Sequence, residues 1–398
     1  MYIMNTMLLV FYFVLGFVFG FPAVALEFYL IDTLKMQPAK MTALFGLVSL
    51  PWCIKPIMGL ISDTFSVRGY HRIPYIFAGS ILSGLSWWAL PYNPHMVGAM
   101  LFIGSFGLCF ADVCCDCILV QRARLETEEN KGTIQSWAWG IRSAGALCAS
   151  VIGPVCYTWW GPEITFVACG CFPIIFGAIS IFLKEDNVGQ EKKAGSEIIK
   201  KLVGALKTKK VFLPALFIFI INITPGYGTV LMFWEQHVLK FTPYQFSFLD
   251  VAGGVSSIVG SIIYKKFLTN IELPKLFFVT LTLAFILRWG HIVLVSRIMP
   301  QFDMVFTVLE QISMTLVYQC ILLPIVCLVA KICPVGIEGS LYALIMSISN
   351  FGGTLSSEWS AIMADAMGIT NTNFDNFMHF IIICNILAII PILAIKLL

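Results

Sequence analysis

Twelve apolar runs, each long enough to cross a bilayer as a helix of about 20 residues, dominate this chain and leave it little choice of architecture. They fall at 5–31, 41–62, 73–92, 96–120, 132–158, 163–183, 211–239, 244–266, 274–296, 303–330, 336–363 and 375–397. Charged residues make up 12% of the 398 and hydrophobic ones 59%. An ordinary soluble domain is about 25% charged, so too little polar surface remains here to cover a water-soluble globule. A mean hydropathy of +0.88 excludes disorder. A net charge of +3 offers no basic face, so no nucleic-acid partner is expected. The chain reads as an all-α membrane protein with twelve transmembrane helices, its surroundings the lipid bilayer.

One long polar stretch interrupts the pattern. Residues 184–210 carry eight lysines and four acids and split the spans six and six. This predicts an N-terminal six-helix bundle over 1–183, a cytosolic linker over 184–210 and a C-terminal six-helix bundle over 211–398, the outcome of a duplicated unit. Placing the N-terminus in the cytosol puts 18 of the 25 lysines and arginines in inner loops and four (Lys35, Lys40, Lys240, Arg297) in outer ones. That bias predicts cytosolic termini and a cytosolic middle loop, and the plasma membrane is the expected location.

The charges inside the spans are the candidates for function. Lys55, Arg142, Arg288, Glu27, Asp112, Asp116, Asp250, Glu310 and Glu358 all fall within apolar runs. Each costs about 2.5–3.5 kcal/mol at mid-bilayer, so they must face one another or water. Asp112 and Asp116 lie four residues apart, on one face of span 4. Such a pair is expected to share a proton unless a cation intervenes, and Lys55 and Arg142 sit at comparable depths in spans 2 and 5. A structural ion pair is the alternative for Lys55. Glu27, Asp250, Glu310 and Glu358 lie nearer the outer ends, where a carboxylate can reach water.

Trp137 and Trp139 on span 5 stand close to Arg142, an aromatic-plus-cation arrangement suited to a flat, conjugated anion; plain interhelix packing is the alternative. Trp87, Trp88, Trp159, Trp160 and Trp234 read as interfacial anchors. Gly16 and Gly20, spaced Gly-x-x-x-Gly, permit close helix approach. Most of the 13 cysteines lie in apolar runs and read as small core residues, Cys114, Cys115 and Cys117 included. The five histidines are scattered singly, so no metal is expected. The chain has no HExxH pair, Walker loop or GxSxG elbow, and an enzyme is not expected.

Between spans 2 and 3 stand Gly59, Asp63, Gly69 and Arg72, a Gly-x-x-x-Asp…Gly-x-x-Arg arrangement that resembles the signature of the major facilitator superfamily. Three longer blocks narrow the resemblance: SLPWCIKPIMGLISDTFSVRGYHRIPYI (Ser49 to Ile76), ADVCCDCILVQRAR (Ala111 to Arg124) and CPVGIEGSLYALIMSISNFGG (Cys333 to Gly353). All three are similar to the folate–biopterin transporter family. The resemblance implies a major facilitator fold and secondary active transport of folates or pteridines by alternating access, with the proton as coupling ion; no cofactor is expected, and a monomer is. It marks Lys55, Asp63, Asp112, Asp116, Arg122, Arg124, Glu338, Ser347, Asn350 and Gly352. Gln121 departs from the glutamate often found there in the family.

Combining both lines gives the expected site. Arg142, Trp137, Trp139, Asn350 and Ser347 would bind substrate, Asp112, Asp116 and Lys55 would form the charge network, and Asp63, Arg72, Arg122, Arg124 and Glu338 would gate. Two alternatives stay open: another small metabolite, such as an adenosyl compound or an amino acid, and a sensor of the same fold that transports nothing.

Overall fold

The computed structural model describes residues 2–123, 133–183, 185, 195–332 and 338–398, and no strand occurs among them. Side chains at 2–7, 120–123, 133–136, 139, 195–199, 201, 326, 327, 329–332 and 338–340 also lie outside the description. The helices are α1 (Tyr2–Gly20), α2 (Pro38–Cys53), α3 (Lys55–Thr64), α4 (Ile73–Ala89), α5 (Val97–Ala123) and α6 (Thr133–Ser180). After the linker come α7 (Gly195–Leu206), α8 (Lys209–Ile223), α9 (Gly228–Trp234), α10 (Pro243–Ile263), α11 (Leu273–Arg288) and α12 (Gly290–Val295). The chain closes with α13 (Asp303–Ile332), α14 (Glu338–Ala366) and α15 (Phe377–Leu387).

Among the described residues nine helical stretches are long and apolar enough to cross a membrane. The remaining expected spans are also helical. Ile73–Ala89 is slightly shorter at 17 residues, and Glu338–Ala366 is a 29-residue helix bearing Glu358 and Asp365. Spans 5 and 6 run together as α6, interrupted where Gly161 takes φ 78° just before Pro162. A left-handed φ suits glycine and a proline ends the hydrogen-bond ladder, so one apolar run becomes two spans. Exposed apolar side chains such as Leu85, Ile258, Ile262, Val279 and Leu309 cover the outer faces, as lipid rather than water requires.

Contacts divide the helices into two compact units, Met1–Leu34 with Ile54–Gly195, and Lys35–Cys53 with Ser196–Leu398. The first unit is centred on Leu8, Phe11, Tyr12 and Leu15 of α1 packed with Cys114, Cys115 and Ile118 of α5 and Phe176 of α6. Phe11 and Phe176 bring their ring centroids to 4.5 Å. The second unit has one core around Phe217, Ile218, Phe277, Leu341 and Ile345 and another around Tyr227, Trp234, Phe377 and Phe380.

The division of the sequence places 38–53 with the first bundle, whereas by its contacts α2 packs in the second unit. The chain breaks at Ile54, φ −107° and ψ 15°, between α2 and α3. Pro56 has no N–H for the Trp52 carbonyl four residues back. Asn350 fills that vacancy, donating Nδ2 to the Trp52 oxygen at 3.0 Å.

Candidate functional site

Three elements of the first unit, α1, α3 and α6, converge on the paired acids of α5. Asp112 is buried, its side chain 1% exposed. Lys55, set at the start of α3 by the break at Ile54, brings Nζ to 2.7 Å from Asp112 Oδ2. Arg142 of α6 approaches the other oxygen, Oδ1, at 3.0 Å. Asp112 is therefore held by a cation on each oxygen, the condition under which a carboxylate tolerates burial in a membrane.

Asp116, one helical turn along α5, has different company. The Tyr12 hydroxyl of α1 donates to its Oδ1 at 2.9 Å, and Tyr12 is fully buried. Among the described residues Asp116 makes no ion pair within 4 Å. Two carboxylates of one sequence motif thus receive unlike surroundings. One lies between two cations, and the other accepts from a hydroxyl.

Glycine contacts position Arg142. An added Cβ at Gly145 would fall 2.1 Å from the Phe13 carbonyl oxygen, and one at Gly153 2.2 Å from that of Phe21. The expected close approach of α1 therefore occurs, and its partner is α6. It brings Phe19 under the Arg142 guanidinium, 4.9 Å from ring centroid to Cζ. Phe19 is thus an aromatic partner of Arg142; of the two expected ones, Trp137 is 61% exposed and the side chain of Trp139 lies outside the described residues.

The loop between α3 and α4 forms a tight turn. Val67 and Tyr70 exchange backbone hydrogen bonds at 2.9 and 3.1 Å, with Arg68 at φ 55° and Gly69 at φ 84°. Positive φ at both central residues defines a type I′ turn, which explains the glycine of the motif. Asp63 pairs with Arg72, whose guanidinium also donates to the Ser62 hydroxyl. Glu185 accepts the backbone N–H groups of His71 at 2.8 Å and Arg72 at 3.1 Å, capping the N-terminus of α4.

The other expected residues are distributed as follows. Asn350 and Ser347 lie on α14 in the second unit, Asn350 on the Trp52 carbonyl. The Ser347 hydroxyl is buried with no hydrogen-bond partner among the described residues. Arg124 lies outside the described residues, as do the side chains of Arg122, Trp139 and Glu338. Asp250 is exposed. Glu310, expected near water, is only 11% exposed and pairs with His291. Tyr12, Phe19 and Glu185 were not legible as site residues. A tyrosine and a phenylalanine in an aromatic-rich span carry no mark of their partners, and Glu185 is simply the second charge after span 6.

The profile of the BT1 family matches residues 15–398. A folate-biopterin transporter of Synechocystis is 29% identical over 389 residues, covering 96% of this chain and 78% of its own. Folate transporter 2 of Plasmodium falciparum is 25% identical, covering 92% and 82%. A probable folate-biopterin transporter of Arabidopsis thaliana, number 4 of its series, is 26% identical, covering 96% and 92%. Among solved structures, the nucleoside transporter NupG superposes with a TM-score of 0.75 at 15% identity, over 99% of this chain and 98% of its own. A bacterial homologue of the human lysosomal transporter Spinster, inward-facing and occupied, gives 0.70 at 12% identity over 99% and 95%. These structures share the fold, and it is the major facilitator fold the spans and signature imply.

Proposed function

The chain belongs to the BT1 family, and on that ground we propose that it carries folates or related pteridines across a membrane by alternating access, driven by protons. It is a multi-pass membrane transporter of a small molecule and not an enzyme. The folate and pteridine class rests on relatives so named that match nearly its whole length. The nucleoside carrier of the same fold, at 15% identity, gives no ground for a different substrate.

The observation that carries the mechanism is the unequal treatment of Asp112 and Asp116. Two cations, Lys55 and Arg142, face two acids, so the ionised cluster is neutral. A substrate carboxylate entering beside Arg142 adds one negative charge. Asp116, which among the described residues makes no ion pair and accepts from the Tyr12 hydroxyl, is the acid able to take up a proton and restore neutrality. Asp112 stays ionised on Lys55 while Arg142 turns to the incoming carboxylate. One proton, taken up by Asp116 for the one carboxylate that Arg142 receives, follows from charge balance in a medium of low dielectric.

In this reading Arg142 holds the glutamate tail of a folate, with Trp137, Trp139, Ser347 and Asn350 as the remaining substrate contacts. The loop of Asp63 and Arg72, with Arg122, Arg124 and Glu338, acts in gating. The protein works as a monomer in the plasma membrane. Its bundles are 1–183 and 211–398, and both termini and the 184–210 linker lie in the cytosol, on the evidence of the basic residues. Uptake of radiolabelled folate by folate-requiring cells expressing the chain tests the reading. Uptake that rises as the outside is acidified and is competed by unlabelled pterins is expected; no uptake above the host's own would overturn it.

A further inference from the structure

The stretch that leads into span 7 carries charges for which the transport reading has no task. From 196 to 212 the sequence holds five lysines against one acid, Glu197. One face of α7 docks in the second unit, with Leu202, Ala205 and Leu206 packed on the core around Phe217, Ile218 and Leu341. A second face stays uncovered, and Val203 on it is 46% exposed. The Lys207 N–H donates to the Val203 carbonyl at 3.2 Å. Lys207 therefore continues the last turn, and Lys200, Val203 and Lys207 share one side. α8 then starts at Lys209, where span 7 begins. Lys209, Phe212, Leu216 and Phe219 follow at steps of three, four and three residues, the spacing of a single helix face.

These two faces border a groove of about 600 Å³. Its walls are Val203 and Leu206 of α7, Phe212, Leu216 and Phe219 of α8, and Ile348 of α14; Lys207 is the charged residue of the lining. Lys200, Lys207 and Lys209 are exposed, and among the described residues none of them makes an ion pair. The volume falls in the range of about 300–1,000 Å³ usual for small-molecule sites. From Phe212 to Phe219 the helix rises about 10 Å, inside a stretch long enough to cross a membrane. One leaflet's hydrocarbon is about 15 Å deep, so the groove stays within one leaflet. A cluster of cations at the membrane surface above an apolar trough of that depth matches a molecule with an anionic head and a hydrocarbon tail. A soluble anion would meet the lysines and leave Phe212, Leu216 and Phe219 bare. A choline head group would bring a second cation among the first.

We infer that this groove is a binding site for one anionic phospholipid, with its phosphate among Lys200, Lys207 and Lys209 and an acyl chain along Phe212, Leu216 and Phe219. The bound lipid covers the open face of α7 and links it to the start of span 7. The lipid composition of the membrane thereby bears on how firmly α7 holds to the second unit. The site shares no residue with the charge cluster of α5 or with the groups assigned to substrate and gate, so its test is independent of the folate reading.

Native mass spectrometry of the full chain, titrated in detergent with phosphatidylglycerol or with phosphatidylcholine of the same acyl chains, tests this. Each lysine beside an anionic head group is worth about fivefold in affinity. The wild type should therefore retain one phosphatidylglycerol at least about tenfold more tightly than phosphatidylcholine. Lys200→Gln, Lys207→Gln and Lys209→Gln together should weaken the first lipid by about a hundredfold and leave the second unchanged. Val203→Trp fills the groove from an exposed position and should weaken both. Equal affinity for the two lipids in the wild type would overturn the site, as would a preference that survives the triple substitution. Unchanged binding of both lipids in Val203→Trp overturns it too, because the chain then lies elsewhere. Should Val203→Trp fail to fold, the three exposed lysines decide alone.

Discussion

A methyl group on Gly16 would stand 1.9 Å from the carbonyl oxygen of Arg142, so α1 and α6 meet backbone against backbone at the residue that holds Asp112. No side chain fits there without moving one helix. Gly16→Val is expected to cost about 1–3 kcal/mol through overpacking and to lose most uptake, because Arg142 and Phe19 shift together. Gly140→Ala is the control, since among the described residues nothing lies within 4 Å of a Cβ at that position. Thermal unfolding in detergent and uptake in cells measure the two effects, and equal behaviour of the variants would refute the argument.

The two acids of α5 should respond differently to the same change. Asp112→Asn strands Lys55 and Arg142 without their common anion, and breaking a buried pair in this way costs about 3–5 kcal/mol. Poor folding and lost uptake are expected. Asp116→Asn keeps an oxygen for the Tyr12 hydroxyl and should fold, exchange substrate and yet no longer accumulate it when the outside is acidified. Exchange and accumulation assays in proteoliposomes separate the two. Accumulation that persists in Asp116→Asn would make this acid structural.

Arg142→Ala separates ligands by their tails. Losing a desolvated contact between a charge and a carboxylate costs about 2–5 kcal/mol. Folate, with glutamate carboxylates, should be weakened by that amount, whereas biopterin, which has none, should be far less affected. Competition binding on the purified protein reads the ratio. Equal losses for both ligands would remove Arg142 from the tail.

In the loop between α3 and α4, the pair has one buried and one open partner. The side chain of Arg72 is 7% exposed and that of Asp63 59%. Asp63→Asn is expected to leave expression near normal, as partly exposed pairs contribute about 0–1 kcal/mol, while reducing transport. Arg72→Ala removes the group that joins Asp63 and Ser62 and should reduce both. Expression measured beside initial uptake rates checks the order, and Asp63→Asn with unchanged kinetics would take this loop out of the transport cycle.

Sidedness is tested on the linker. Lys207 is exposed just before α8, and the count of 18 basic residues against four predicts that this segment lies inside. In a cysteine-depleted background, Lys207→Cys should resist an impermeant thiol reagent on intact cells and react once they are opened. Labelling of intact cells would invert every inner and outer assignment.

Hydropathy made the membrane-spanning helices readable from sequence, because they depend on a residue's own transfer free energy between water and lipid; the major facilitator class was readable only through the resemblance of the motif from Gly59 to Arg72. Asp112, Asp116, Lys55 and Arg142 were readable as candidates for the same reason: an ionised side chain in an apolar run must find a partner wherever the chain takes it. The partner itself is another matter. That Asp112 takes both cations while the Tyr12 hydroxyl donates to Asp116, that Phe19 lies against Arg142, and that α2 packs with α14 all depend on helix rotation and on close contacts at residues such as Gly16. The histidines looked isolated because His291 and Glu310 are 19 positions apart on different spans, and only packing brings Nε2 to 3.2 Å from Oε2. Lipid fixes how deep each residue lies, but it is indifferent to which face of a helix turns inward. That choice falls to the shapes of the neighbouring helices, and these exist only once the chain has folded.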